Sequence, residues 1–398
     1  MRFRPKHHRF LSIAVCLLSI LAQDYAVAQT TGILLSDDRK NIVYAKNEDK
    51  SFIPASTLKI ITSLAVLETL GKNYRFSTWV DYNPKTETLY VKGFGDPLFI
   101  SEEIESLVEK LIAKTKLRSV HNIVLDHSFF HPDIAIPGTG NSKNPYDATT
   151  GALCANFNTI FFQWDETKSR YISAEPQTPL LDNFQDDIKS LNKSKDRVLL
   201  SHTQRRIYPG LLIRYFLTKK KIKVSGDIKE GSYPDSPHVK LEYKSSVSLE
   251  EIIEKLLKYS NNFIANQLVL VMGAKHFGPP ATLEKGVTYL NGYIETKLGI
   301  QGIHLTEGSG LSRKNRMSPR QMMIALMEFM PYHHLMSKDK NEFYKTGTLS
   351  DVKTRAGYIR GKDNRLYPFV IMLNHTWNGY GSIRKALNTK VIEYSRSP

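Results

Sequence analysis

The sequence predicts an α+β protein in which a long insert interrupts the main domain. Strand patterns occur near both ends of the 398 residues, and helical patterns lie between them. Near the start, TGILLSDDRKNIVYAKN reads as two strands around a polar turn at 37–40. Near the end, EFYKTGTL, TRAGYIR and LYPFVIMLNHT also read as strands. These three observations indicate one α+β domain built from both ends of the chain.

The first half of the chain alternates helices and strands. PASTLKIITSLAVLETLG predicts an apolar helix that starts at Ser56 and ends at Gly71, a residue type common after helices. FSTWVDYNPKTETLYVKGFG predicts two further strands. SEEIESLVEKLIAKTKL has the apolar spacing of an amphipathic helix, with Ser101 as its N-cap. VHNIVLDHSFF predicts a strand, and PGLLIRYFLTKKKIKVSGDI predicts a helix followed by a strand.

The second half of the chain is mainly helical before the final strands. SLEE, from Ser248, is a capping box and predicts a helix that ends near 259. A second, apolar helix is expected to begin near Asn262. Ser318 and the proline after it predict the start of a helix over RQMMIALMEFM. The C-terminal helix is expected to have Ser382 as its N-cap.

The segment 1–28 predicts an export signal. Basic residues precede an apolar run from Leu11 to Leu21, which is shorter than a membrane-spanning helix. Ala26-Val27-Ala28 then has the small-residue pattern of a cleavage site. An uncleaved membrane anchor is the alternative. Cleavage leaves Cys154 as the single cysteine, so no internal disulfide is expected, and the thiol is expected to be buried.

The chain is strongly basic, with a net charge of +16. The segment 1–28 carries four Arg or Lys and one Asp, so the remaining chain keeps +13. An intracellular protein of this charge would suggest nucleic acid as a partner. The export signal instead favours an anionic cell-wall polymer or membrane surface, and no nucleic acid. A solvated basic surface without a partner is the alternative.

Ser56 and Lys59 form a candidate catalytic pair at the start of a helix. Residues three apart share a helix face, and free N–H groups make a helix N-terminus electropositive. A lysine that can be neutral can take the proton of a serine hydroxyl. The S-x-x-K spacing alone is weak evidence for a catalytic pair, because it recurs at four other serines. Taken alone, it indicates a capped helix start with a surface lysine. Those serines are Ser190, Ser337, Ser350 and Ser382.

Two further motifs strengthen this assignment. Ser260-Asn261-Asn262 lies at the predicted junction of two apolar helices, where a hydroxyl can relay a proton and an amide can hold a substrate. Lys345-Thr346-Gly347 lies in a predicted strand, where a cation and a hydroxyl can bind a carboxylate. The glycine leaves room for a substrate backbone. His127 and His131 have a spacing that could bind metal on a helix, but their strand-and-turn pattern favours a structural role. We therefore expect neither metal nor cofactor.

The three motifs, in this order, resemble those of the penicillin-binding serine DD-peptidases. Within them, the chain is similar to the low-molecular-mass D-alanyl-D-alanine carboxypeptidase/endopeptidase family, peptidase family S13, of the penicillin-binding protein 4 (DacB) type. The segments VKGFGDPLF, PYDATTGALCANFN, EGSGLSRKNRMSP and KTGTLSDVKTRAGYI extend the resemblance over nearly the whole mature chain. Glu307 stands where the family signature has aspartate, and Asn261 where aspartate is common.

The resemblance implies a fold and its division into domains. A β-lactamase/transpeptidase-like catalytic domain, an antiparallel sheet with helices on both faces, would comprise 29–84 and 244–398. A smaller inserted α/β domain would span 85–243, after a signal peptide at 1–28. The polar segment 165–206 within it would be a mobile excursion or a reduced third domain.

The resemblance also implies a role for each site residue. Ser56 would be the acylated nucleophile, Lys59 its base, and Ser260 the group that protonates the leaving amine, with Lys345 and Lys59 as neighbours. The remaining residues would hold the substrate. Asn262 would bind its side amide, Lys345 and Thr346 its terminal carboxylate, and the N–H groups of Ser56 and Thr348 the oxyanion, beside Gly347. Asp147 and Arg313 would grip the amino-acid end of the peptide stem.

These implications define the expected activity. The chain would be an exported, periplasmic or cell-wall D-Ala-D-Ala carboxypeptidase, with DD-endopeptidase activity as an addition. Its partners would be peptidoglycan stem peptides, and β-lactams would inhibit it covalently. A β-lactamase and a non-catalytic wall-binding protein with the same fold are the alternatives.

Overall fold

In a computed structural model of the chain, the structure describes residues 30–140, 142–235, 241–375 and 379–396. These residues form two compact units. One unit contains the described residues up to Thr57 and those from Arg313 onwards, and the other is Leu58–Ser312. The predicted export signal, and with it the anchor alternative, lies outside the described residues. Within them, no helix is both long and apolar enough to cross a membrane.

The described residues form sixteen strands and nine α-helices. The first half of the chain contains β1 (Thr31–Ser36), β2 (Ile42–Lys46), α1 (Lys59–Leu70), β3 (Ser77–Asn83), β4 (Thr88–Gly93), α2 (Ser101–Thr115), β5 (Ser119–Val120), β6 (Asn122–Asp126), β7 (Thr159–Asp165), β8 (Arg170–Ser173), α3 (Gln185–Ser190) and β9 (Lys195–Leu199). The second half contains α4 (His202–Lys219), β10 (Lys223–Val224), β11 (Ile228–Glu230), β12 (Leu241–Lys244), α5 (Leu249–Tyr259), α6 (Asn262–Phe277), α7 (Leu283–Thr296), α8 (Pro319–Phe329), β13 (Ser337–Asp339), β14 (Glu342–Leu349), β15 (Val352–Arg360), β16 (Leu366–Asn374) and α9 (Tyr380–Tyr394).

The first unit is built on a six-stranded antiparallel sheet that joins the two ends of the chain. Its strand order is β13-β14-β15-β16-β1-β2, so β1 pairs with β16 although the two strands come from opposite ends of the sequence. Side chains alternate between the faces of a strand. Ile33 and Leu35 therefore pack with Leu387 of α9 on one face, while α8 packs against the other, where Tyr358 donates its hydroxyl hydrogen to the carbonyl of Leu326. The predicted antiparallel sheet with helices on both faces is confirmed.

The second unit contains a mixed five-stranded sheet in the order β11-β6-β4-β3-β12. Strands β4, β6 and β11 are parallel, whereas β3 and β12 complete the sheet in antiparallel pairs. Helices α2 and α4 pack on each other and supply leucines and isoleucines to a large apolar core. Beside this core, β8-β7-β9 form a small antiparallel sheet, and β5 pairs with β10. Burial of this core is the main source of stability, because the described residues contain no disulfide.

Most predicted helix boundaries are confirmed, and two predicted caps are wrong. Capping boxes start α5 at Ser248 and α8 at Ser318. Ser101 is the first residue of α2 and not its N-cap, because Asn156 caps it from elsewhere in the chain: its Oδ1 accepts the Ser101 N–H at 2.9 Å. Ser382 lies inside α9, which begins earlier, after Gly379 with a left-handed φ of 76°.

The division at 84 and 243 into catalytic and inserted domains stays a prediction. Both positions fall at strands of the five-stranded sheet, since β3 pairs with β4 and with β12. The polar segment 165–206 contains β8, α3 and β9. It also contributes four buried side chains to the core of the second unit, those of Leu181, Phe184, Ile188 and Leu200. Its assignment as a reduced third domain likewise stays a prediction.

Helices α6 and α7 approach closely because two glycines face each other. A methyl group at Gly273 would lie 2.7 Å from Cα of Gly286, and one at Gly286 would lie 2.7 Å from the carbonyl oxygen of Val269. Real methyl carbons are essentially never found at such a distance. By contrast, Gly292, also in α7, has no heavy atom within 4 Å of the corresponding position. Helix α6 also carries the second site motif, so this packing helps to hold that motif in place.

We expect Gly273→Ala to destabilise the protein by about 1–3 kcal/mol, because the added methyl group must push two helix backbones apart. Gly292→Ala is the matched control. It should be neutral or stabilise the protein by up to about 1 kcal/mol, because alanine restricts the unfolded chain at no steric cost here. Chemical denaturation of both variants measures the difference. Equal stability of the two variants would contradict the close approach.

Candidate active site

Ser56 lies in a strained turn that leads into α1. A 3-10 turn spans Ala55–Leu58 and runs directly into the helix at Lys59, so the α-helix begins three residues later than predicted. Ala55 has a left-handed φ of 47°, which is unusual for a residue with a side chain. The carbonyl of Pro54 accepts hydrogen bonds from two threonine hydroxyls, Thr57 at 2.6 Å and Thr354 at 2.8 Å. These bonds offset the strain and fix the turn that presents Ser56.

Strand β14 runs so close to this turn that Gly347 is required. A methyl group on Gly347 would lie 2.7 Å from the backbone nitrogen of Ser56 and 2.9 Å from Cβ of Ala55. The predicted motif Lys345-Thr346-Gly347 and the predicted nucleophile are therefore neighbours within the first unit. The glycine leaves space beside the Ser56 N–H, where the resemblance implies that an oxyanion is bound.

The other residues of this motif lie on two faces of β14. Lys345 is 2% exposed and shares the buried face with Gly347, whereas Thr346 is half-buried and Thr348 exposed. Burial lowers the pKa of the Lys345 ammonium to about 7, since desolvation disfavours the charged form. Its Nζ donates to the carbonyl oxygen of Thr346 at 2.7 Å. Lys345 can thus be charged or neutral near neutral pH, and the two threonine hydroxyls remain accessible.

Lys59 is completely buried at the start of α1 in the second unit. Its Nζ donates hydrogen bonds to Oδ1 of Asn262 at 2.6 Å and to the carbonyl oxygen of Ser309 at 2.7 Å. A buried amine needs such acceptors, because an unpaired polar group costs about 1–3 kcal/mol away from water. The first and second motifs, 203 residues apart in sequence, therefore meet at this amine.

The second motif forms the junction between α5 and α6, as predicted. Ser260 ends α5 with a left-handed φ of 54°, and the side chain of Asn261 caps α6 by accepting the Ile264 N–H at 2.9 Å. Asn262 is then the first residue of α6, and its Nδ2 donates to Oδ1 of Asp147 at 2.9 Å. The structure thus links Lys59, Asn262 and Asp147 in one hydrogen-bonded chain.

Glu307, the residue at which this chain departs from the family signature, organises the loop that follows it. The carboxylate is fully buried and accepts the N–H of Ser309 at 2.7 Å, the hydroxyl of Ser309 at 2.5 Å and the N–H of Gly310 at 2.7 Å. Asn266 of α6 also donates to it. Because Ser309 accepts a hydrogen bond from Lys59, Glu307 fixes one of the acceptors around the predicted base. A buried acidic residue directly before G-S-G is the sequence signal that could have revealed this role.

Arg313 lies on the surface of the first unit, where its side chain contacts the turn between β14 and β15. Its Nη2 is 2.6 Å from Oδ1 of Asp351 and donates to Oγ of Ser350 at 2.7 Å. Asp351 also contacts Nδ1 of His375 at 2.9 Å. The predicted substrate-binding arginine therefore carries a carboxylate partner, and its 46% exposed side chain leaves it open to solvent.

His127 and Cys154, the other residues considered for chemistry, have structural roles. The Nε2 atom of His127 lies 3.0 Å from the carbonyl oxygen of Arg206, and burial lowers the pKa of its imidazole to about 4. Cys154 is buried as predicted, and burial raises the pKa of its thiol to about 12. Among the residues that the structure describes, no group of three or more His, Cys, Asp or Glu is arranged to hold a metal ion.

The structure brings the predicted site residues into two groups. The first unit joins Ser56 with Gly347 and its neighbours on β14, and the second unit joins Lys59 with Asn262 and Asp147. The catalytic roles assigned to these residues stay predictions.

Comparison with known proteins identifies the family. The model of the D-Ala-D-Ala carboxypeptidase 3 (S13) family matches residues 16–338. The chain belongs to this family. The predicted family and enzyme class are thereby confirmed.

Two curated relatives of this S13 family member are each 22% identical to it. One is a D-alanyl-D-alanine carboxypeptidase of Actinomadura sp. (strain R39), matched over 89% of this chain and 79% of the relative. The other is the D-alanyl-D-alanine carboxypeptidase DacB of Haemophilus influenzae, matched over 90% of this chain and 88% of the relative. Both matches extend over most of the two chains that they join.

Solved structures support the fold. Penicillin-binding protein 4 (DacB) of Haemophilus influenzae is similar with a TM-score of 0.69 at 20% identity, over 88% of this chain and 91% of that one. A predatory peptidoglycan endopeptidase of Bdellovibrio bacteriovorus has a TM-score of 0.54 at 17% identity, over 92% of this chain and 93% of that one. The predicted transpeptidase-like fold is confirmed.

We expect Glu307→Gln to destabilise the protein by about 1–3 kcal/mol, because an amide NH₂ would then oppose the buried N–H and O–H donors. Covalent labelling by a fluorescent penicillin should also slow, since the Ser309 acceptor for Lys59 shifts. Glu307→Asp keeps the charge and is the matched control, with a smaller loss in both measurements. Denaturation and labelling time courses give the two values, and wild-type behaviour of Glu307→Gln would refute the positioning role.

Proposed function

We propose that this S13 family member is a serine D-Ala-D-Ala carboxypeptidase that acts through an acyl-enzyme on Ser56. The observation that carries the proposal is the hydrogen bond between the buried Nζ of Lys59 and Asn262, which joins two of the three expected motifs. The close approach of Gly347, in the third motif, to the Ser56 nitrogen also supports the proposal. Family membership supplies the chemical class, and the assignment of steps to residues below is our proposal.

Acylation begins when neutral Lys59 takes the proton from the hydroxyl of Ser56. The serine oxygen then forms a bond to the carbonyl carbon of the penultimate D-alanine. The N–H groups of Ser56 and Thr348 stabilise the oxyanion that develops on the carbonyl oxygen. The C–N bond to the terminal D-alanine breaks as Ser260 passes its proton to the leaving amine. Ser260 takes in return the proton that Lys59 removed from Ser56, so Lys59 is neutral again. Water then attacks the ester carbonyl carbon and gives a proton to Lys59. The bond from that carbon to the Ser56 oxygen breaks, the oxygen takes this proton back, and the shortened peptide leaves.

The two ends of the substrate are held by different groups. Lys345 and Thr346 bind the terminal carboxylate, since a cation and a hydroxyl make charge-assisted hydrogen bonds to it. Asn262 binds the side amide, and Asp147 and Arg313 contact the amino-acid end of the stem. In the structure Asp147 bonds to Asn262, and Asp351 pairs with Arg313. Substrate binding would therefore replace these contacts with contacts to the peptide.

The finer identity of the activity is also part of the proposal. DD-endopeptidase action uses the same acylation and differs in what is attached to the leaving amine. We propose export to the periplasm or cell-wall space, where the basic chain meets anionic wall polymers or membrane surface through long-range attraction. A β-lactamase would deacylate bound penicillin quickly, and a non-catalytic wall-binding protein would not be acylated at all.

Fluorescent penicillin tests the nucleophile. We expect a covalent band with the unmodified protein, no band with Ser56→Ala, and a band with Thr57→Ser, a neighbouring hydroxyl variant that serves as control. Denaturing gels with fluorescence detection make the measurement. Equal labelling of the Ser56→Ala variant would refute the assignment. Loss of the band within minutes of removing free penicillin would favour the β-lactamase alternative.

The pKa of Lys345 near 7 predicts the pH dependence of substrate use. Below that pH the ammonium form predominates and attracts the terminal carboxylate. Above it the neutral form predominates, so kcat/KM for release of D-alanine from a pentapeptide should fall as pH rises through about 7 to 8. In Lys345→Arg the guanidinium stays charged, so the fall should move to higher pH even if overall activity is lower. Profiles of kcat/KM from pH 5.5 to 9 measure this, and an unchanged alkaline limb in Lys345→Arg would contradict the assignment.

A further inference from the structure

A groove in the second unit is lined by none of the residues assigned to the candidate active site. One cavity of about 730 Å³ runs along β8 and the segment that follows it, and a second of about 550 Å³ shares Leu180, Asp182 and Tyr215 with the first. We call this continuous feature the insert groove, and define it by Trp164, Tyr171, Asp182, Gln185 and Tyr215.

The insert groove displays aromatic surface that a soluble domain ordinarily buries. The side chain of Trp164 is 37% exposed and that of Tyr215 is 40% exposed. Trp164 and Tyr171 are directly paired across β7 and β8, and their rings stand edge to face at 5.0 Å and 74°. This contact holds the indole in one orientation without covering it. A rigid, exposed aromatic ring beside polar groups is typical of a binding surface.

Most cations of the insert groove are paired with carboxylates at its margin, so its local charge is small in contrast to the net charge of +16 of the chain. Arg170 and Arg214 are the two cations of its lining outside ion pairs of the described residues, and Asp182 adds a carboxylate to the same lining. An anionic polymer would therefore find little excess positive charge here, and the groove suits a neutral ligand. The other cations of the lining form ion pairs at 2.9–3.5 Å: Lys168 with Asp165, Lys189 with Asp186, and Lys219 with Glu105.

We propose that the insert groove binds the glycan strand of peptidoglycan, a neutral chain of N-acetylated amino sugars. The apolar C–H face of a pyranose ring stacks on an exposed aromatic ring such as Trp164 or Tyr215. The planar polar side chains of Asp182, Gln185 and Arg170 can bond to ring hydroxyl and acetamido groups. The identification of the glycan as that of peptidoglycan rests on the proposed function. The groove would hold the polymer while the catalytic residues act on its peptides.

A protein segment added to the edge of β8 is the competing occupant, and the observations favour it less. β8 lies at the edge of its sheet, but it has only four residues. Arg170 places a positive charge at its first residue. Short, charged edge strands are the ones that resist pairing with another chain.

The test uses the full mature chain and two neutral probes, the β-1,4-linked tetrasaccharide and hexasaccharide of N-acetylglucosamine. Calorimetry should show binding of both, and Trp164→Ala or Tyr215→Ala should weaken it about tenfold, as expected for a central aromatic contact. Trp164→Phe should retain most of the affinity. Phe277→Ala is the matched control, because it removes another exposed ring, 46% exposed, outside the groove.

Activity measurements separate this proposal from the proposed function. Release of D-alanine from a free pentapeptide should be unchanged in Trp164→Ala, whereas release from intact sacculi should fall several-fold. Ser56→Ala should lose acylation by penicillin and still bind glycan. Absence of glycan binding, equal binding by Trp164→Ala, or binding of extended peptides in its place would overturn the groove assignment, whatever the penicillin result. Failure of acylation with intact glycan binding would instead overturn the proposed function alone.

Discussion

The buried amine of Lys59 is the interaction on which the second unit's half of the candidate site depends. The side chain is inaccessible to bulk water, so its hydrogen-bond acceptors must come from the protein. Asn262 supplies one acceptor from α6, and Ser309 supplies another from the loop that Glu307 organises. The amine thereby ties together three segments that the chain contributes from distant positions. The glycine contact between α6 and α7 serves the same end, because it fixes the helix that carries Asn262.

In the first unit, the candidate site depends on the close approach of two backbone segments. Gly347 and the left-handed Ala55 let β14 and the turn at Ser56 approach more closely than side chains would allow. The same packing removes Lys345 from water, and this burial brings the pKa of its ammonium to about 7. The sheet thus sets both the space beside the Ser56 N–H and the charge state of the neighbouring lysine. Substitutions that keep Ser56 and Lys345 but loosen the sheet should therefore change both this space and the pKa of Lys345.

The insert groove and the candidate active site differ in physical character. Lys59 and Lys345 are buried amines, and each donates a hydrogen bond to a defined acceptor. The groove is open, aromatic and nearly neutral, as retention of a polymer with weak contacts requires. A protein with both features can separate holding its substrate from cutting it. The overall positive charge would then act on the anionic surroundings of the protein and contribute little to ligand binding in the groove.

The sequence by itself determined the element types, the antiparallel sheet from both chain ends, the family, and the three motifs. These properties depend on local periodicity, on caps such as Ser248, and on short residue patterns. Only the tertiary structure decided that Asn156 and not Ser101 caps α2, that Glu307 holds the Ser309 acceptor, and that Asp147 bonds to Asn262. The insert groove, built in part from a polar and weakly periodic segment, belongs with these findings. Each depends on contacts between residues far apart in sequence, and such contacts leave no periodic signal in the chain.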